Sequence, residues 1–124
     1  MSITYEIDRE RNELRVTAWG TITFAEVSAH LLRERQDLVL PWKELIDARS
    51  AAPELSSPDV RRIVDLLRDA ARTNRLGPTA VVVSTPVAYG MMRMLQILVE
   101  DTCIIHPFRV LAEAEQWLRI GSGS

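Results

Sequence analysis

Cysteine is almost missing from this chain: Cys103 is the single one in 124 residues. It has no partner for an intrachain disulfide and no second thiol with which to share a zinc, and a reducing compartment suits it best. A run of basic residues is also absent, and the formal net charge is −2. Nothing therefore draws the chain toward phosphate backbones or anionic lipid, and nucleic acid is not an expected partner. Long apolar runs are lacking as well. The longest apolar-rich stretch, residues 87–99, is broken by Gly90, Arg93 and Gln96, and about 20 apolar residues are needed to cross a bilayer. The first residues alternate polar with apolar instead of opening on a basic start followed by an apolar stretch, so the expectation is a cytoplasmic protein without a signal peptide or membrane insertion. Catalytic signatures are missing too. There is no Gly-x-Ser-x-Gly elbow, no glycine-rich phosphate loop and no His-x-x-x-His pair, so neither a cofactor nor a metal is expected.

The remaining composition, 47% hydrophobic and 26% charged, is that of a globular chain of one-domain size. Ile3, Tyr5 and Ile7, then Leu14, Val16 and Ala18, alternate with polar residues, which predicts two half-buried strands joined as a hairpin. Thr23-Phe24-Ala25-Glu26 has the form of a capping box, so a helix is expected over residues 24–36. Glu44-Leu45-Ile46-Asp47 reads as a short strand. Ser57-Pro58-Asp59 combines a capping hydroxyl, a proline at the first helical position and an acidic first turn. From there Val60, Ile63, Val64, Leu67 and Ala71 fall on one helical face. Gly77-Pro78 stops the chain, and Ala80-Val81-Val82-Val83 predicts the central strand of the sheet. A third helix over residues 87–100, a strand over 104–109 and a last helix over 112–119 complete the order.

The expectation is therefore one α/β domain over residues 1–120: a mixed sheet with an antiparallel N-terminal hairpin, then alternating helices and parallel strands. Gly121-Ser122-Gly123-Ser124 has no side chains with which to pack and reads as an appended linker.

Asp47, Arg49 and Ser50 follow the carboxyl end of a presumed parallel strand, where open α/β sheets place ligand crevices. Their plainer role is to pair with each other. In the third helix, Ala88, Met91, Met92, Leu95, Leu98 and Val99 already supply a core face, and Tyr89, Met94 and Ile97 add apolar area beyond it. A helix so apolar must be covered on more than one side, and methionines suit an adaptable contact. Tyr89, Met91, Met94 and Ile97 therefore form the candidate face for a homodimer partner or a ligand pocket. His30 reads as a partly exposed packing residue and His106 as a strand-end residue at solvent. Cys103 and His106, three apart on an extended segment, point to opposite faces and do not make a dyad.

Several stretches are together similar to the SpoIIAA-like proteins of the STAS and SEC14-type group. They are the hairpin ending in Gly20, the strand exit Leu45-Ile46-Asp47-Ala48-Arg49, the helix start at Ser56-Ser57, and Ala88-Tyr89-Gly90-Met91-Met92-Arg93-Met94. The resemblance implies a binding or regulatory module, and it places Ser56 and Ser57 nearest the serine that is phosphorylated in STAS antagonists. Pro58 and Asp59 stand where that pattern has a glycine and an apolar residue, and helix capping alone accounts for Ser57. The reading is a non-catalytic protein-binding homodimer. One alternative is a carrier of a small apolar or lipid-like ligand; another is a hydrolase using Cys103 or Ser28 with His30 or His106.

Overall fold

In a computed structural model, which describes residues 2–120, the alternating segments at the start of the chain pair as a hairpin. β1 (Ile3–Asp8) runs antiparallel to β2 (Glu13–Ile22), with Ile3 opposite Ala18 and Asp8 opposite Glu13. β2 outruns its alternating segment because its far end has a second partner: Trp19 to Ile22 lie alongside Ser50 to Pro53 of β3 (Lys43–Pro53). A register shift between Thr17 and Trp19 marks a bulge there. β4 (Thr79–Val82) and β5 (Ile105–Phe108) follow, and the five strands lie in sequence order with every pair after the hairpin parallel. The α/β class, the hairpin and the parallel remainder agree with the sequence reading.

The central strand is β3, not β4. β4 is covered on both faces, which is what its unbroken apolar run signals, but such cover says nothing about rank within the sheet. β3 carries the same cover at Leu45 and Ile46, hidden in the sequence by the flanking Glu44 and Asp47.

Four helices complete the described residues: α1 (Phe24–Gln36), α2 (Ser57–Ala71), α3 (Pro86–Leu98) and α4 (Leu111–Ile120). α1, α2 and α3 share one face of the sheet, where Val60, Ile63, Val64 and Leu67 of α2 meet Leu95 of α3 and Ile105 of β5. α4 covers the other face, packing Ala114 and Leu118 on Leu45, Ala80 and Val82. None of these helices is long and apolar enough to cross a membrane. Residues 121–124, the appended linker of the sequence reading, lie outside the described residues.

Two helix starts show how local chemistry fixes the frame. Thr23 caps α1, and Glu26 returns the bond, as its motif predicts. The cap of α2 is Ser56, one residue earlier than the sequence reading places it. The reason is reciprocity: Ser56 accepts from the Asp59 N–H, and Asp59 accepts from the Ser56 N–H. Were Ser57 the cap, the third helical residue would be Val60, which cannot return the bond.

Candidate functional site

The buried residues of α1 are His30 and Glu34, an unusual pair for a surface helix of a sheet protein. The capping box at Thr23 sets the helical phase. Val27, His30, Leu31 and Glu34 then fall on one stripe, at the i, i+3, i+4 and i+7 spacing that faces a core. The other end of α1 is held by a Schellman turn, in which the Val39 N–H reaches the Glu34 carbonyl and the Leu38 N–H reaches that of Arg35. Opposite the stripe stands Glu44 of β3, in the row Leu14, Glu44, Thr79 across three strands. Strand alternation turns that row toward the helices.

These residues meet. His30 Nε2 lies 3.2 Å from Glu44 Oε2 and 3.4 Å from Glu34 Oε2, and Thr79 Oγ1 donates to Glu44 Oε1 at 3.1 Å. The donors divide the two carboxyls. Glu44 is buried, which alone would raise its pKa, but it collects bonds from Glu34, His30 and Thr79 and titrates below the ordinary glutamate value. Glu34 is buried beside that carboxylate and is pushed up to about 9, so it keeps its proton and donates it to Glu44. Burial opposes the charge on His30, yet its bonds and Coulombic attraction to Glu34 and Glu44 raise it to about 10. At neutral pH the cluster is an imidazolium, a carboxylate and a carboxylic acid, with no net charge.

His30 also lines a cavity of ≈170 Å³ between the sheet and the helices. Its walls are apolar, with Val16 and Ile46 from the sheet, Val27 from α1, Ile63 and Leu67 from α2, and Met92 from α3; the polar lining is His30, Glu44 and Thr79. Nε2 is engaged by the carboxyls, whereas Nδ1, on the other edge of the ring, is buried and has no hydrogen-bond partner. Tyr5 packs edge-on against the imidazole at 5.8 Å between centroids.

His30, Glu34 and Glu44 offer three ligand atoms within 4.8 Å of one another, a spacing that a divalent cation can bridge. A metal-bound imidazole, however, is neutral and almost always donates its other N–H to a carboxylate, carbonyl or water. Here Nδ1 finds no such acceptor. The arrangement fits an ion-paired imidazolium facing an apolar cavity better than a metal centre.

The residues singled out by sequence fall elsewhere. Asp47 and Arg49 form a two-pronged pair, Nε to Oδ1 at 2.9 Å and an Nη to Oδ2 at 2.8 Å, and Ser50 is exposed. Ser56 is the α2 cap and Ser57 is exposed on its first turn; none of these five side chains lines the cavity beside His30. On α3, Tyr89 and Met91 are half-buried, whereas Met94 and Ile97 are exposed, together with Val87 and Leu98. Leu98 thus lies outside the core face assigned to it. His30 is buried, not partly exposed, because Glu34 and Glu44 neutralise it there. His106 is half-buried instead of solvated: it stacks on Phe108 at 4.5 Å and tilts against Trp117 on the α4 face. Cys103 packs with the cluster on the opposite face. Burial, with Asp101 and Glu44 nearby, pushes its thiol up to about 11, a poor setting for a nucleophile. Ser28 is half-buried on α1.

No protein-family model and no curated protein sequence matches the chain. Among solved structures, an uncharacterized protein of the DUF3478 family from Shewanella loihica PV-4, described as having a SpoIIAA-like fold, aligns with a TM-score of 0.62 at 17% identity. The alignment covers 94% of each chain. The chain thus has a SpoIIAA-like α/β fold, in agreement with the resemblance read from its sequence.

Proposed function

We propose that this protein is a non-catalytic binding module whose ligand is a small, largely apolar molecule held between the sheet and α1 to α3. The observation that carries this reading is the ≈170 Å³ apolar cavity with His30, Glu44 and Thr79 in its wall. Few convergent polar groups in an apolar concavity are the usual makeup of a ligand site. A cavity of about 150 Å³ is known to admit benzene, so a single ring with a short substituent is the matching size. Catalysis finds less support, since Cys103 and His106 lie on opposite faces of the sheet and the Cys103 thiol stays protonated. A titration of the ¹⁵N-labelled protein with cumene tests the proposal. Amide shifts should concentrate on the cavity wall, at Val16, Val27, Ile63 and Met92, and should vanish in Ala51→Leu, which fills the cavity from its lining. Absence of saturable shifts in the parent sinks the reading.

A second reading is self-association through α3. Val87, Met94, Ile97 and Leu98 are exposed and fall on adjoining helical stripes, and neither the first nor the last turn of α3 carries a charge. An exposed apolar patch of this kind suits a two-fold contact, in which the same patch meets itself. Sedimentation should then give a dimer for the parent and a folded monomer for Met94→Asp or Ile97→Asp. A parent that sediments as a monomer at tens of micromolar refutes it.

A further inference from the structure

We infer that the occupant of this cavity is an acceptor-only carbonyl compound, a ketone, an ester or a tertiary amide, whose oxygen takes the hydrogen bond that His30 Nδ1 leaves unmade. The inference rests on the ligand-binding reading and specifies the ligand's chemistry.

Among the described residues, His30 Nδ1 is the one buried side-chain nitrogen or oxygen without a partner. The other polar wall groups are committed: Glu44 receives Thr79 on one oxygen and His30 on the other. The elements around the imidazole bring Glu34 from α1, Glu44 from β3, and Tyr5 from β1. Cys103, before β5, feels the Glu44 charge, while α2 contributes the apolar Ile63 and Leu67 to the same cavity. The Tyr5 hydroxyl is bonded to Asp37, so it does not compete for Nδ1. Of the polar groups in this wall, His30 Nδ1 is the one left without a partner, whereas Glu44 and Thr79 are already bonded to each other.

That inventory discriminates among ligands. A hydrocarbon leaves the donor buried and unsatisfied. An alcohol satisfies it too, but its own O–H must at the same time reach a lone pair on Glu44 or Thr79, groups already engaged with each other, so it has a second geometric demand to meet. A carboxylate adds a negative charge that nothing balances, because Glu44 already neutralises His30; it must enter as the acid, with uptake of a proton. A carbonyl without N–H or O–H satisfies the donor and adds no unmet group. A hydrogen bond to a charged donor is worth about 1.5–3 kcal/mol, which corresponds to a gain of roughly 10-fold to 150-fold in affinity.

The test uses four probes of nearly one shape: acetophenone, cumene, 1-phenylethanol and benzoate, titrated into protein carrying ¹⁵N-labelled histidine. Acetophenone should bind at least about tenfold more tightly than cumene at pH 7, and more tightly than 1-phenylethanol, and benzoate should weaken about tenfold per pH unit between about pH 6 and pH 8. Because a His30 variant leaves Glu44 as an unpaired buried charge, the readout on the intact chain is the His30 Nδ1 resonance. It should shift on addition of acetophenone and not of cumene. If cumene binds and acetophenone binds no better, this inference fails and the ligand-binding reading stands. If neither binds, both fail. Tighter acetophenone binding with an unmoved Nδ1 signal removes His30 as the recognising group.

Discussion

Two glutamates in one buried cluster should respond oppositely to the same substitution. In the folded chain Glu34 holds its proton up to about pH 9, whereas an unperturbed glutamate releases it near 4.5. Folding at pH 7 must therefore take up a proton, over roughly 2.5 pH units at about 1.4 kcal/mol each, or about 3.5 kcal/mol. Glu34→Gln keeps the shape and a donor toward Glu44 and needs no proton. Its second amide N–H lacks an acceptor, which costs about 1–2 kcal/mol. The variant should thus be more stable than the parent by about 2 kcal/mol at pH 7. The gain should vanish between about pH 5 and 6 and turn into a small loss toward pH 4.5, where the unfolded parent is protonated too and only the unmet amide N–H remains. Glu44→Gln removes the carboxylate that balances His30 and should cost about 3–5 kcal/mol. His30 adds a slope of its own. Its folded pKa of about 10 exceeds the ordinary 6.5, so its stabilising contribution is complete below pH 6.5 and is lost as pH rises toward 10. The parent should lose stability between pH 7 and 9 on both counts, and Glu34→Gln on one. Urea denaturation followed by tryptophan fluorescence at pH 5, 7 and 8.5 measures all of this. A tolerated Glu44→Gln beside a strongly destabilised Glu34→Gln would place the proton on the wrong carboxyl and refute the reasoning.

Three further outcomes follow from local geometry. Ser56→Ala should cost about 1 kcal/mol through the lost α2 cap, while Ser57→Ala, at an exposed first-turn position, should stay within about 0.5 kcal/mol in the same urea assay. Leu38 is exposed and sits at φ 60° in the Schellman turn of α1, so Leu38→Gly should raise stability by up to about 1 kcal/mol by removing left-handed strain. Cys103, with its thiol pushed up to about 11, should react with iodoacetamide at pH 8 far more slowly in the native chain than in urea.

The fold was readable because its signals are local. The capping box at Thr23, the alternation at Ile3 to Ile7 and the proline-marked start of α2 each act within a few residues, and α1 occupies the span its motif predicts. The cluster was not readable in the same way. His30 and Glu34 look like the solvated side of a helix until they are counted onto the Val27 and Leu31 stripe. Glu44 is a charged residue whose inward direction depends on which strands flank β3. Two anomalies together could have flagged it: an ionisable pair on a core stripe, and an acid beside Leu45 and Ile46 in a strand. What joins them is a contact between α1 and β3, and local spacing carries no information about that contact.

The last strand of the sheet also governs how this molecule avoids its own copies. Ile104 and Phe108 turn their carbonyls to β4, so the intervening Pro107 faces the open margin, and there it presents no N–H. Its carbonyl is occupied by Nδ1 of the adjacent His106 at 3.0 Å. A neighbouring chain that tried to extend the ladder would find neither donor nor acceptor at the middle of a four-residue strand. One proline and one imidazole thus weaken this edge as a template for strand addition.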